Sequence, residues 1–92
     1  MKVQIHISLK NGVLDPQGKA IENSLINLGF DNLENVRQGK FIELDIDEND
    51  PFEARKQATE MCEKVLANTV IENYRVDLEY ALTSDIKLLT IN

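Results

Sequence analysis

His6 and Cys62 are the only histidine and the only cysteine in the 92 residues, so a thiol–imidazole pair would have to be built from these two. Covalent catalysis needs a nucleophile, a base and an orienting group within reach of one another, and no spacing in the chain recommends such a set. His6 sits among the polar alternates Lys2, Gln4 and Ser8, where a hydrogen-bonded surface or interface histidine is expected. Cys62 falls beside Met61 and Val65 on an apolar stripe; a reactive thiolate needs an electropositive, accessible setting, so a core role is expected. The run from Gly12 to Lys19 has the look of a phosphate loop but not its spacing. Five residues separate Gly12 from Gly18 where the motif needs four, and Ala20 stands where a Ser or Thr would hold magnesium. Asp15 would also set a carboxylate against the amides an anion uses. The acidic run Asp45–Asp50 opens like a calcium loop, yet Asp50 takes the place of the turn glycine and Lys56 that of the bidentate glutamate. No catalytic, cofactor-binding or metal-binding residue is expected.

The elements that would position a site are easier to read. Val3, Ile5, Ile7 and Leu9 alternate with polar residues, the period of a half-buried strand. Asp15 and Pro16 start a helix running to about Leu28, with Ala20, Ile21, Ser24, Leu25 and Leu28 on one face and Gly29 to end it. Gly18, a poor helix former in the first turn, needs some other reason to be there. Leu33 to Asp47 reads as two strand segments, with Gly39 as a hairpin turn or as a bulge in one long bent strand that reaches a neighbouring subunit. Asp50-Pro51 opens a second helix whose stripe is Ala54, Ala58, Met61, Cys62, Val65 and Leu66. Tyr74, Val76, Leu78 and Tyr80 then mark a strand. The order β-α-β-β-α-β implies an α+β two-layer sandwich, ferredoxin-like in pattern, with helices on one face of a mainly antiparallel sheet. Residues 1–80 form this one domain. Residues 81–92 are an extension whose apolar Ile86, Leu88, Leu89 and Ile91, after a break at Thr83-Ser84-Asp85, suggest an edge strand or an interface arm.

A net charge of −6 argues against nucleic-acid binding, which needs clustered Lys and Arg. No apolar run approaches a membrane span and no signal segment is evident, so no membrane association is expected. A lone cysteine suits a reducing cytoplasm.

Four blocks carry a further resemblance: Lys10-Asn-Gly-Val-Leu-Asp-Pro-Gln-Gly-Lys-Ala20, Asn35-Val-Arg-Gln-Gly-Lys-Phe-Ile-Glu-Leu44, Met61-Cys-Glu-Lys-Val-Leu-Ala-Asn68 and Val70-Ile-Glu-Asn-Tyr-Arg-Val76. Together they resemble the PurS family, the small subunit of phosphoribosylformylglycinamidine synthase in purine biosynthesis. The resemblance implies a non-catalytic assembly subunit that bridges an ATP-dependent synthetase subunit and a glutaminase subunit. It implies support for ammonia transfer between them, and self-association as a homodimer or homotetramer. ATP and magnesium would be used by the complex, with no cofactor on this chain.

Connections rich in glycine and exposed apolar or basic groups are common contact sites. Lys10, Gly12, Val13, Leu14, Asp15, Arg37, Gly39 and Lys40 are therefore the candidate partner-interface residues. A second reading from another class is a small-molecule-sensing regulatory module of ferredoxin-like fold, with a ligand held near Gly12 or Gly39 at a subunit junction. An RNA-binding version is disfavoured by the acidic charge and by the lack of stacked aromatics on the middle strand.

Overall fold

The computed structural model describes residues 1–82 and 85–91, with side chains described for residues 1–79. Three strands follow from the alternation: β1 (Lys2–Leu9), β2 (Gly39–Asp45) and β3 (Glu72–Leu82), joined at the edge by β4 (Asp85–Ile91). The sheet order is β2-β1-β3-β4, every neighbouring pair antiparallel. Two helices, α1 (Pro16–Asn27) and α2 (Pro51–Met61), complete the order β-α-β-α-β before β4. The α+β, antiparallel two-layer arrangement is the one expected. The packing of Ile86, Leu88, Leu89 and Ile91, and the break at Thr83-Ser84, lie outside the described residues.

β1 is central, and its pattern shows why. Val3 and Ile5 are 0% exposed and Ile7 2%, because strands flank it on both sides and α2 lies over that face. Val76 and Leu78 of β3 stand opposite Ile5 and Val3 and share the core. α2 starts as its sequence predicts: Asp50 Oδ1 accepts the Phe52 amide at 3.0 Å, and Pro51 needs no partner there. Ala54 and Ala58 are small enough to let the helix settle onto the sheet, and with Cys62 they are fully buried.

Three departures from the expected pattern have local causes. First, residues 33–38 form no strand, so β2 alone occupies the region expected to hold two strand segments. The Val36 and Gln38 amides donate to Glu22 and Asp15 side chains, so they are spent on the α1 region and not on a sheet neighbour. Gly39 is neither hairpin turn nor bulge: it opens β2, and the pairing with β1 runs unbroken from Ser8↔Gly39 to Lys2↔Asp45. Second, α2 ends in a π-helical turn, Cys62–Leu66, closed by the Ala67 amide on the Cys62 carbonyl at 3.0 Å. The wider turn shifts the helical period, so Val65 is 81% exposed where burial was expected, while Leu66 and Ala67 stay against the core. Third, α1 does not lie on the sheet. Only Gly18 among its residues is buried, and Ala20, Ile21, Ser24 and Leu28 are exposed. α1 is the connection between two antiparallel neighbours, β1 and β2, and it is held by the 36–38 run, through Asp15 at its start and Glu22 at its middle.

Candidate docking surface

The region after β1 is built around one carboxylate. Asp15 Oδ1 accepts the Gly18 amide at 2.8 Å, the helix cap its position predicts, while Oδ2 accepts the Gln38 amide at 2.9 Å. Arg37 Nε lies 3.8 Å from the same Oδ2. Asp15 is only 8% exposed. Its amide partners Gln38 and Gly18, with the Arg37 guanidinium beside them, hold the carboxyl below its ordinary value of 3.8 against the opposing effect of burial.

Arg37 extends this tie across the turn. Its guanidinium donates to the Leu9, Lys10 and Val13 carbonyls at 3.3–3.4 Å, long bonds that together span the turn. Glu22 adds a second anchor: Oε1 accepts the Val36 amide at 3.3 Å and Oε2 pairs with Lys19 at 3.1 Å. Lys19 first, and then the Val36 amide, hold the Glu22 carboxyl below its ordinary value. Asn35 takes a left-handed backbone, φ 59°, to turn the chain into this arrangement.

The glycines are explained by close approach. A Cβ on Gly18 would sit 2.5 Å from the Val36 carbonyl oxygen, so this first-turn glycine is where the chain crosses the helix start. On Gly39 a Cβ would sit 2.5 Å from the Ile7 carbonyl oxygen. Gly12 needs its own freedom, with φ +85° in the turn.

The candidate interface residues, drawn from two separate stretches, therefore form one region. Arg37 joins both stretches. Lys40 reaches Glu72 at 3.5 Å and ties the start of β2 to the start of β3. Asp15 is turned into the structure and Gly39, though exposed, lets β2 approach the Ile7 carbonyl, whereas Leu14 is 80% exposed at the tip. Gly18, Glu22 and Gln38 belong to the same construction but were not among the candidates. Gly18 alone left a signal, as a residue at odds with its helix.

On the opposite face of the sheet His6 stacks near Phe41, ring centres 4.9 Å apart, with Nδ1 3.1 Å from Arg75 Nη2 and 3.4 Å from Asp77 Oδ2. Asp77 is buried, and among the described residues its Oδ1 has no hydrogen-bond partner. Cys62 is buried, and that burial pushes its thiol up, away from thiolate chemistry. Near it the Tyr74 hydroxyl donates to Glu63 at 2.5 Å, and that bond pushes the phenol up to about 12. No cluster of three or more His, Cys, Asp or Glu able to hold a metal occurs among the described residues. Nor is any helix among them long and apolar enough to cross a membrane. The arrangement can present a fixed shape.

Comparison with known proteins gives one consistent result. The family model PurS, phosphoribosylformylglycinamidine (FGAM) synthase, matches residues 2–80. The PurS subunit of the Bacillus subtilis synthase is 46% identical over 78 residues, 85% of this chain and 92% of that protein. Among solved structures, Methanocaldococcus jannaschii PurS is 36% identical with a TM-score of 0.72, covering 99% of this chain and 98% of its own. A chain in the structure of PurLQS from Thermotoga maritima is 31% identical with a TM-score of 0.75, covering 82% of this chain and 92% of that one. A match over the whole fold, at these identities, settles the family: this chain belongs to PurS.

Proposed function

We propose that this chain is the small subunit of a phosphoribosylformylglycinamidine synthase in purine biosynthesis and that it contributes shape, not bond-making. The complex converts formylglycinamide ribonucleotide, ATP and glutamine to formylglycinamidine ribonucleotide, ADP, phosphate and glutamate. ATP and magnesium belong to the synthetase subunit, and a separate glutaminase subunit releases the ammonia. This chain joins the two in the cytoplasm, as a homodimer or homotetramer, and helps to shield the ammonia passage. Shielding has a physical reason: ammonia that reaches bulk water is protonated and lost as a nucleophile.

The observation that best supports this reading is the anchored turn. Asp15 and Arg37 fix Lys10–Leu14 from below, so the exposed Leu14 and the half-buried Val13 are presented in one conformation. A preorganised loop loses less entropy on docking, the economy a contact surface needs. In this reading Lys10, Val13, Leu14, Arg37 and Lys40 meet the larger subunits, while Gly12, Asp15 and Gly39 position them.

The test is turnover by the two larger subunits mixed with and without this chain, driven either by glutamine or by ammonium. Omission is expected to abolish the glutamine-driven reaction and to spare the ammonia-driven one. Equal glutamine-driven rates with and without the chain would overturn the reading.

A further inference from the structure

The face of the sheet opposite α2 is polar, and one end of it is hollow. His6 and Arg75 stand directly across from each other in the β1–β3 register, as do Ser8 and Asn73. Side chains so paired lie about 5 Å apart at Cβ, so the four make one block. Ser8 and Asn73 are short, and Gly39, on the other side of Ser8, has no side chain at all. β4 pairs with β3 only from Val76 onward, so among the described residues no strand lies beside Asn73 and Arg75. Lys10 carries the ladder one step past β1, its amide donating to the Ile71 carbonyl at 2.8 Å. With Thr69 it closes the far end of an open cavity of about 580 Å³.

The lining of this cavity is rich in donors. A guanidinium cannot accept a hydrogen bond, so the Arg75 Nη2 contact at 3.1 Å makes His6 Nδ1 the acceptor. The proton of the neutral imidazole then sits on Nε2. Buried Asp77 accepts from the same Nη2 at 3.2 Å, which fixes the Arg75 guanidinium without spending its other N–H groups. Among the described residues nothing holds the Lys10 ammonium, the Ser8 and Thr69 hydroxyls or the Asn73 side-chain amide. Two acids also reach the rim, and both are engaged. Glu63 accepts the Tyr74 hydroxyl, and Glu72 pairs with Lys40 at 3.5 Å and accepts the Asn68 amide at 2.7 Å. Tyr74 and Glu72 stand opposite Ile7 and Leu9, so these acids lie across β3 from His6 and Ser8.

We infer that this cavity binds a phosphate group, free or at the end of a small monoester. Arg75 offers a fork to two oxygens and Lys10 a point charge from the far end. The His6 N–H, the hydroxyls and the Asn73 amide serve the oxygens that remain. A carboxylate has its oxygens in one plane, whereas donors here arrive from β1, from β3 and from the turn before it, as a tetrahedral anion requires. The net charge of −6 gives no long-range attraction, so binding depends on the local Lys10–Arg75 pair and weakens with salt. The inference goes beyond the docking reading, with which it shares only Lys10.

The test follows the His6 ring protons by NMR, the one imidazole signal set in the chain, as inorganic phosphate or ribose 5-phosphate is added at fixed pH. A saturable shift is expected, with sodium chloride of equal ionic strength giving none. Lys10→Gln is expected to weaken binding roughly tenfold, the loss of one charged hydrogen bond. Arg75→Lys keeps a charge beside Asp77 but loses the fork, and is expected to weaken it several-fold. Amide spectra establish that both variants stay folded. Lys64→Gln removes the same charge from α2, away from the cavity, and is expected to bind as wild type does. Tighter binding of ribose 5-phosphate assigns the site to a monoester and equal binding to free phosphate; either supports the inference. A shift that never saturates, or an equal loss in Lys64→Gln and Lys10→Gln, marks an adventitious ion only and overturns it.

Discussion

α1 and α2 open on the same dipeptide, Asp15-Pro16 and Asp50-Pro51, with the aspartate capping each first turn. Their fates differ because of what lies opposite. α2 carries Ala54, Ala58 and Cys62 toward the sheet and is held by burial of apolar surface. α1 carries Gly18 toward a crossing backbone and is held by two carboxylates, leaving its apolar stripe to solvent. Identical start signals thus fix where a helix begins but say nothing about what it will be fastened to. One helix is anchored by packing and the other by polar ties at its start and middle.

That contrast can be broken most forcefully at Ala58. Ala58→Leu would overpack a site with no free space, at a cost of roughly 1–3 kcal/mol or more, read as a lowered urea midpoint. Gly18→Ala tests the other anchor and carries a sign. Helix propensity alone favours alanine there by about 1 kcal/mol. The contact with the Val36 carbonyl predicts the reverse, a net loss of roughly 1–2 kcal/mol. A Gly18→Ala chain more stable than wild type would remove the close approach as the reason for that glycine.

The polar tie itself answers to acid. The Asp15 carboxyl is lowered from 3.8 by folding, so its contribution is complete above that value and is lost as pH falls through the lower folded value. Asp15→Asn should be less stable than wild type at neutral pH, and the difference should shrink below pH 3.8. Thermal melts across that range check it. The smallest effect is expected near α2. Tyr74 is raised to about 12, so its bond to Glu63 is fully present below its ordinary value of 10 and is lost as pH rises toward 12. A phenolate absorbance titration should show one late tyrosine that Tyr74→Phe removes, at a stability cost of about 1 kcal/mol or less.

Much of this was legible in the residues. Alternation in Val3–Ile7 marked the central strand, the Asp-Pro pairs marked both helix starts, and the four motif blocks marked the family. What was not legible depends on distance along the chain. Gly18 looked misplaced, but its cause, the Val36 carbonyl, lies eighteen positions on and only meets it after folding. The stripe on α1 signalled burial without naming what would cover it. Val65 followed the helical period until the π turn changed it, and no residue type announces such a turn. Lys10–Asp15 and Arg37–Lys40 were singled out as separate stretches, and only the folded contacts, Arg37 on the Lys10 and Val13 carbonyls and the Gln38 amide on Asp15, show that they are one surface.

The central position of β1 has a consequence for how this polypeptide is made. It is synthesised before either of its neighbours, since Lys2 pairs with Asp45 on one side and with Glu79 on the other. One edge of β1 can pair once β2 is made, but the other waits until β3, some seventy positions on, has been synthesised. Completing the sheet must close long loops, the regime of slow rates and exposure to misassociation. Synthesis close to its own partners, or under the care of a chaperone, is the circumstance such a topology favours.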